Sequence, residues 1–285
     1  MLETGREVTV EKKTGKLKES KTGEEVNITD LPGIYSLSPY TLEEVVSRDF
    51  ILNEKPDVII DLVDATNIER NLYLTTQLLE TGIPVVLALN MADLMRKNDI
   101  RIDVEALSKK LGCPIVETSA LRKTGLKEVV EEAVGAAKKA QEPELRPIFD
   151  NWVESRVEQI ESELPAGVPE GEKRWYAIKL LEQDSKVLEQ FGLAAGNRYS
   201  KYAGELEKEY DDDAESVITD QRYQYIQKLI ETTVKKPAAK MSVSDRIDSI
   251  VTNRILGIPI FVLVMWGVYY VSVTTLGTLV TDWTN

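Results

Sequence analysis

The chain has 285 residues, of which 42% are hydrophobic and 29% charged, values typical of a folded protein long enough for two domains. Its net charge of −13 excludes a general nucleic-acid-binding protein, because such a protein needs a basic surface. The chain has no histidine, which excludes histidine-based acid–base catalysis. It has a single cysteine, which excludes an internal disulfide.

The first half of the chain alternates between β-prone and helical patterns. Residues 8–13 and 25–29 are β-prone and flank a turn sequence, which predicts a hairpin. Further along, short apolar runs predict buried parallel strands at 57–63, 84–89 and 114–117. Helical patterns separate these strands, at 41–53, 68–80, 104–111 and 126–139. This alternation predicts an α/β doubly wound sheet, in which ligands bind beyond the carboxyl ends of the strands.

The second half of the chain has a different character. Two prolines in residues 141–147 indicate a linker, and the charged sequence that follows is rich in helical patterns. From residue 255 to 281 about 27 residues pass without a charge, more than the roughly 20 that span a bilayer. Basic residues precede this run, so the positive-inside rule places residues 1–254 in the cytoplasm. We therefore predict four segments: an incomplete α/β domain at 1–142, a helical domain at 143–234, a connector at 235–254 and a transmembrane helix at 255–281.

Two of the predicted strand ends carry residues suited to reading a guanine base. Asn90-Met91-Ala92-Asp93 follows the second apolar run, and Thr118-Ser119-Ala120 follows the third. The Asp93 carboxylate could accept hydrogen bonds from guanine N1 and N2, a donor pair that adenine lacks. Backbone N–H groups of 118–120 would face guanine O6. The Asn90 side chain would link this loop to its neighbours by hydrogen bonds, and the aliphatic part of the Met91 side chain would lie over the base. Taken singly, each sequence also fits an ordinary turn or helix cap.

A third element stands at the end of the predicted hairpin. Asp30-Leu31-Pro32-Gly33 could place a carboxylate near a Mg²⁺-bound water and a backbone N–H, from Gly33, near a terminal phosphate. Asp-x-Pro-Gly is also a common turn, and alone the turn is the better interpretation. The order of the three elements, each at a strand end, favours a guanine-nucleotide site.

Longer stretches of this sequence resemble the ferrous iron transport protein B (FeoB) family, in which a GTPase is fused to a membrane permease. The methionine at position 91 is part of this resemblance, since most GTPases have lysine there. The other resembling stretches are residues 8–13, 30–40, 53–58, 63–74, 174–182, 244–248 and 254–259. The resemblance covers nearly the whole chain. It implies a Ras-like P-loop GTPase sheet, then a helical domain, then the first transmembrane helix.

The resemblance also implies roles, ligands and a location. Thr9 resembles the switch threonine that ligates Mg²⁺, and Asp30 would hold the same ion through water. The nucleotide-binding residues would be Asp30, Gly33, Asn90, Met91, Asp93, Thr118, Ser119 and Ala120, and no residue is assigned as catalytic. Mg²⁺ and GTP or GDP would be the cofactors, and Fe(II) would be handled by the permease region that this chain does not include. Members of the family reside in the bacterial inner membrane. The resemblance leaves open whether the chain forms a homo-oligomer.

One departure from the family limits these expectations. The phosphate-binding sequence Gly-x-x-x-x-Gly-Lys-Ser/Thr does not occur in the chain. We therefore expect a GTPase-type sheet that lacks its first strand and P-loop, with weak nucleotide binding, and GTP hydrolysis stays undecided. The alternative function is a membrane-anchored, non-enzymatic interaction module that has lost nucleotide binding.

Overall fold

A computed structural model describes residues 13–18, 23, 25–38, 41–97, 99–139, 148–194, 196–235, 251 and 257–272. Its first two strands form an antiparallel hairpin, β1 (Lys13–Lys18) and β2 (Glu25–Asp30), with Lys13 opposite Asp30. The predicted hairpin is confirmed, but its first strand extends beyond the 8–13 run. Residues 8–12, which include Thr9, lie outside the described residues.

A parallel three-stranded sheet forms the centre of the first domain. Its strands are β3 (Ile59–Asp64), β4 (Val85–Asn90) and β6 (Ile115–Glu117), in the order β3-β4-β6. The middle strand β4 is an unbroken apolar run buried from Val85 to Leu89, as expected for a strand covered on both faces. Because all three strands run the same way, their carboxyl ends meet at one edge of the sheet.

Helices connect these strands much as the sequence patterns predicted. They are α1 (Leu42–Asp49), α2 (Ile68–Glu80), α4 (Val104–Leu111) and α5 (Leu126–Lys138). Thr41 and Glu44 form a reciprocal capping box that begins α1. The predicted helix 41–53 is not uniform, because α1 continues into a π-helical turn, Phe50–Glu54, that ends at Lys55 with φ +46°. The helix α3 (Ala92–Lys97) and the strand β5 (Arg101–Ile102) were not predicted.

Residues 148–235 form a mostly helical second domain. Its helices are α6 (Asn151–Glu163), α7 (Lys173–Leu181), α8 (Ser185–Gln190), α9 (Ser200–Tyr210) and α10 (Ala214–Thr233), and short 3₁₀ turns occur at Glu170–Glu172 here and at Ala65–Asn67 in the first domain. Every residue of α7 from Arg174 to Leu181 is buried, so this helix is the core around which the others pack. The domain ends in strand β7 (Val234–Lys235), which pairs antiparallel with β5 of the first domain.

Buried ion pairs join the two domains. Both Nη atoms of Arg48 donate to the Asp184 carboxylate at 2.9 Å, and Arg222 donates to both oxygens of Glu80. Lys179 Nζ donates to Glu182 Oε2 at 2.5 Å, and Glu182 also lies 3.7 Å from Arg222. We call these six side chains the interdomain seam.

The residues described beyond the second domain include one helix, α11 (Gly257–Tyr270), which has 14 residues. A transmembrane helix over 255–281 was predicted, but part of that range lies outside the described residues. Where the structure describes the chain, it holds no helix with the length and apolar character needed to cross a membrane.

Candidate guanine-nucleotide site

The candidate site lies where the parallel strands end. The register places Asp64, the last residue of β3, beside Asn90, the last residue of β4. One strand along, the N–H of Thr118 donates to Leu89 O at 2.8 Å and so extends the pairing of β4 with β6 by one residue. Two of the three predicted elements therefore leave the sheet side by side.

Met91 turns the chain from β4 into α3. Its φ of +65° is a left-handed conformation that is uncommon for a residue with a side chain, and it ends the strand abruptly. The Met91 carbonyl then accepts from the N–H groups of Leu94 and Met95, at 2.9 and 3.1 Å, which begins the helix. Asp93 consequently lies in the first turn of α3, where the helix dipole favours a carboxylate.

The loop after β6 is closed by its own backbone. Ser119 and Thr124 exchange two hydrogen bonds, at 3.1 and 3.2 Å, across residues 120–123. The following residue, Gly125, has φ +79°, and a Cβ placed on it would lie 2.2 Å from the Glu117 carbonyl oxygen. Only glycine fits there, so Gly125 holds the loop against the end of β6.

Side chains link the two loops. Ser119 Oγ donates to Asp93 Oδ1 at 3.0 Å, and Asn90 Oδ1 accepts from the Ala120 N–H at 3.2 Å. Ser119 is buried, while 15% of the Asp93 side chain is exposed. On the other side of the carboxylate, Arg122 Nε lies 4.0 Å from Asp93 Oδ2. The structure thus brings together Asn90, Asp93, Ser119 and Ala120, which we call the base cluster.

Two details of this edge were not predicted. The N–H of Ala120, expected to face guanine O6, donates to Asn90 in this structure. Asp64 was not predicted as a site residue, although an acidic residue at the end of a strand is a recognisable signal of one. Burial by itself would raise the pKa of Asp64, but hydrogen bonds from the Thr66 side chain and backbone and from Asn67 outweigh it and lower that pKa. Its carboxylate is therefore held as an anion that caps the turn after β3.

The Asp30–Gly33 element is held by other parts of the first domain. Asp30 is the last residue of β2, and Pro32 O accepts from Ser47 Oγ of α1 at 3.3 Å. Beyond Gly33, the buried Gln77 Oε1 accepts from the Leu37 N–H at 2.7 Å, and Lys179 of the second domain donates to Ser38 Oγ at 3.1 Å. The segment after Gly33 thus touches both domains.

The described residues hold no cluster of three or more acidic, cysteine or histidine side chains that could bind a metal ion. Magnesium differs from most metals here, because it commonly takes one or two protein ligands, several waters and substrate phosphate oxygens. A single carboxylate such as Asp30 is compatible with that manner of binding.

Comparisons with known protein families agree with this architecture. Residues 6–133 match the family model described as ferrous iron transport protein B, and residues 149–235 match the model of the FeoB cytosolic helical domain. The chain is 36% identical to the Fe(2+) transporter FeoB of Escherichia coli K12 over 95% of its own length and 35% of the relative's. A fusion of Fe(2+) transport protein A with FeoB from Porphyromonas gingivalis is 37% identical over 97% of this chain and 34% of that protein. The chain therefore spans about a third of the length of the curated relatives that it matches.

Solved structures of the S. thermophilus protein NFeoB are also similar. The form bound to mGMPPNP is 44% identical to this chain and has a TM-score of 0.70. The match covers 79% of this chain and 85% of the NFeoB chain. The form bound to GDP, AlF4⁻ and K⁺ has the same identity and a TM-score of 0.72, and the match covers 79% of this chain and 87% of the NFeoB chain. The α/β part therefore has the predicted Ras-like GTPase-type fold, followed by a helical domain. By sequence, family model and fold, this chain belongs to the ferrous iron transport protein B family.

Proposed function

We propose that this chain is the guanine-nucleotide-binding, GTPase portion of a ferrous iron transporter, in which nucleotide state is coupled to Fe(II) uptake. The observation that carries the proposal is the base cluster: a partly exposed carboxylate in the first helical turn after a buried strand, oriented by a buried serine, with its second oxygen 4.0 Å from the exposed Arg122. The relatives that share this architecture are named Fe(2+) transporters or are solved with guanine nucleotides bound.

Base recognition in this proposal depends on the orientation of Asp93. The Ser119 hydroxyl donates to Asp93 Oδ1 and so fixes the plane of the carboxylate before any ligand arrives. Each carboxylate oxygen can accept more than one hydrogen bond, so both retain capacity for the N1 and N2 donors of guanine. Adenine has no such donor pair, and a carboxylate left unpaired on binding would be costly.

Phosphate and magnesium binding follow as the second part of the proposal. The Gly33 N–H would meet the terminal phosphate, because Gly33 is exposed and has no side chain to block approach. Mg²⁺, bound with the nucleotide, would neutralise phosphate charge and would be held by Thr9 and, through water, by Asp30. GTP hydrolysis is proposed to be slow, because Ile34 occupies the position after Gly33 and cannot orient a water molecule.

Location and transport complete the proposal. We place the protein at the bacterial inner membrane, with residues 1–254 in the cytoplasm and residues 255–281 as its first membrane segment. Large apolar side chains of α11, such as Phe261 and Trp266, are 64% and 66% exposed, which supports an apolar environment for this helix. Fe(II) itself would pass through a permease region outside this sequence.

The test is a change of base preference at Asp93. Replacing Asp93→Asn removes an acceptor that guanine needs, so we expect GDP affinity to fall about 100-fold or more. Xanthosine diphosphate has a carbonyl at C2 instead of the amino group, and the amide of the variant can donate to it. We therefore expect the variant to prefer xanthosine diphosphate over GDP in calorimetric titrations.

A matched control is Asp57→Asn, which removes the same charge from an exposed residue before the amino end of β3. This control should bind GDP as the unchanged chain does. If Asp93→Asn and Asp57→Asn bind GDP equally, or the unchanged chain does not bind GDP at all, the proposal is wrong and the non-enzymatic interaction module is the better function.

A further inference from the structure

The side chain of Arg122 lies against the carboxylate that is proposed to read guanine. Arg122 is in the loop closed by Ser119 and Thr124, and its backbone N–H donates to Ser119 Oγ at 3.3 Å. This backbone contact fixes the start of the side chain close to the Ser119–Asp93 hydrogen bond. The guanidinium Nε then lies 4.0 Å from Asp93 Oδ2, although 68% of the Arg122 side chain is exposed.

The two oxygens of Asp93 thus have different neighbours. Oδ1 accepts from the buried Ser119 hydroxyl, whereas Oδ2 faces Arg122. A guanidinium offers N–H donors on nitrogens joined through one carbon, and the N1–C2–N2 edge of guanine offers donors in the same arrangement. Both are complementary to a carboxylate, so they suit the same acceptor.

We propose that Arg122 is an internal competitor of guanine: its guanidinium lies beside Asp93 Oδ2, an oxygen that would accept from guanine, and must move away before the base can bind. This inference rests on the proposed function, since it assigns a regulator to the same site. It predicts that Arg122 lowers the affinity for guanine nucleotides instead of contributing to it, despite its favourable charge for phosphates.

The expected size of the effect follows from the exposure of the pair. An ion pair with one largely exposed partner contributes little free energy. The apparent affinity of a ligand equals its intrinsic affinity multiplied by the fraction of molecules in which the site is free. Arg122 should therefore weaken GDP binding about two- to fivefold. A larger effect would require a buried, bidentate pair, which this geometry does not have.

The experiment compares Arg122→Gln with Lys123→Gln in the full chain, by titration with GDP and with inosine diphosphate. Lys123 is an exposed neighbour, so its substitution removes the same positive charge from the same loop. We expect Arg122→Gln to bind GDP about two- to fivefold more tightly and Lys123→Gln to bind it equally or less tightly. Hypoxanthine lacks the 2-amino donor and needs only one of the two carboxylate oxygens, so inosine diphosphate should gain less from Arg122→Gln.

Three outcomes separate the possibilities. Tighter GDP binding by Arg122→Gln, with a smaller gain for inosine diphosphate, supports the competition. If Arg122→Gln binds GDP no better than Lys123→Gln, or both nucleotides gain equally, the inference fails while the proposed function stands. If Asp93→Asn does not alter GDP binding in the same titrations, the proposed function and this inference fail together.

Discussion

A guanidinium meets a carboxylate both in the interdomain seam and beside the base cluster, but in opposite surroundings. In the seam, the side chains of Arg222 and Glu80 are 0% and 5% exposed, and both Nη atoms donate. Beside the base cluster, the side chains of Arg122 and Asp93 are 68% and 15% exposed, and Arg122 Nε lies 4.0 Å from Asp93 Oδ2. Because water can replace one partner only where it has access, the seam is permanent and the cluster is exchangeable.

The pKa of Arg222 is subject to opposing effects, which show what keeps this side chain charged inside the interdomain seam. Burial alone would lower the pKa of Arg222, but the charges of Glu80 and Glu182 and the hydrogen bonds to Glu80 raise it overall. The cation is therefore stable inside the protein as long as both carboxylates remain. We expect such a network to add little net stability, since the cost of removing water offsets much of the attraction.

The largest expected effect is at the seam. Replacing Arg222→Met leaves Glu80 buried without its partner, so we expect the free energy of unfolding to fall by about 3–5 kcal/mol. Urea denaturation would measure this. The double substitution Arg222→Met with Glu80→Met removes both charges and should recover much of the loss. A single substitution that costs less than about 1 kcal/mol would mean that water reaches the seam and that the comparison is wrong.

An intermediate effect is expected at Asp61, a buried carboxylate of β3 whose hydrogen-bond donor is Thr75 Oγ1 at 2.6 Å. Burial raises the pKa of Asp61 from 3.8 to about 6, and the Thr75 hydrogen bond only partly opposes it. Between these values the folded state binds more protons than the unfolded state. The stability that Asp61 contributes is therefore present below about pH 4, is lost as pH rises to about 6, by up to about 3 kcal/mol, and does not change further above that range.

Asp61→Asn tests this pH dependence. The amide cannot ionise but can still accept from Thr75, so the variant should match the unchanged chain at pH 4 and be more stable at pH 7. Unfolding free energies in urea at four pH values between 4 and 7 would show it. An unchanged slope in the variant would mean that Asp61 is not the titrating group.

The smallest effect on stability is expected within the base cluster. Ser119→Ala removes the donor to Asp93 and the acceptor of the Arg122 N–H, at a cost of about 1 kcal/mol in unfolding free energy. GDP affinity should nevertheless fall about tenfold, because Asp93 is no longer oriented. Ser108→Ala is the control: it loses a hydrogen bond to Cys113 O and should destabilise similarly without changing GDP affinity. Equal GDP affinity in both variants would contradict the role of Ser119.

Much of the first domain could be predicted because its signals are local. Helix α2 was predicted at its observed bounds, and so was α4, since apolar residues recur at helical spacing in both. Helix α3 has six residues and β5 has two, too few to show any period, and both were missed. The π-helical turn at Phe50–Glu54 was missed because its pattern continues that of α1.

The contacts that could not be predicted join residues that are far apart in the sequence. Arg222 and Glu80 are 142 residues apart, and nothing local marks either as a partner. The members of the base cluster could be picked out together because they follow two apolar strands within a few residues. Arg122 could not, because its approach to Asp93 depends on how the loop before Gly125 closes.

The pairing of β5 with β7 has a mechanical consequence. The Asp103 N–H donates to Thr233 O at 2.8 Å, and Lys110 Nζ donates to Thr232 Oγ1 at 2.7 Å, so the end of α10 is fastened to the first domain. A protease cut between residues 139 and 148 would break the chain but not this attachment. A pull on residue 235 along the chain would shear β7 against β5, whose neighbour in sequence is α3 with Asp93 in its first turn. Tension at this point would therefore be shared between α10, which continues directly into β7, and the first domain, which holds β7 through its pairing with β5.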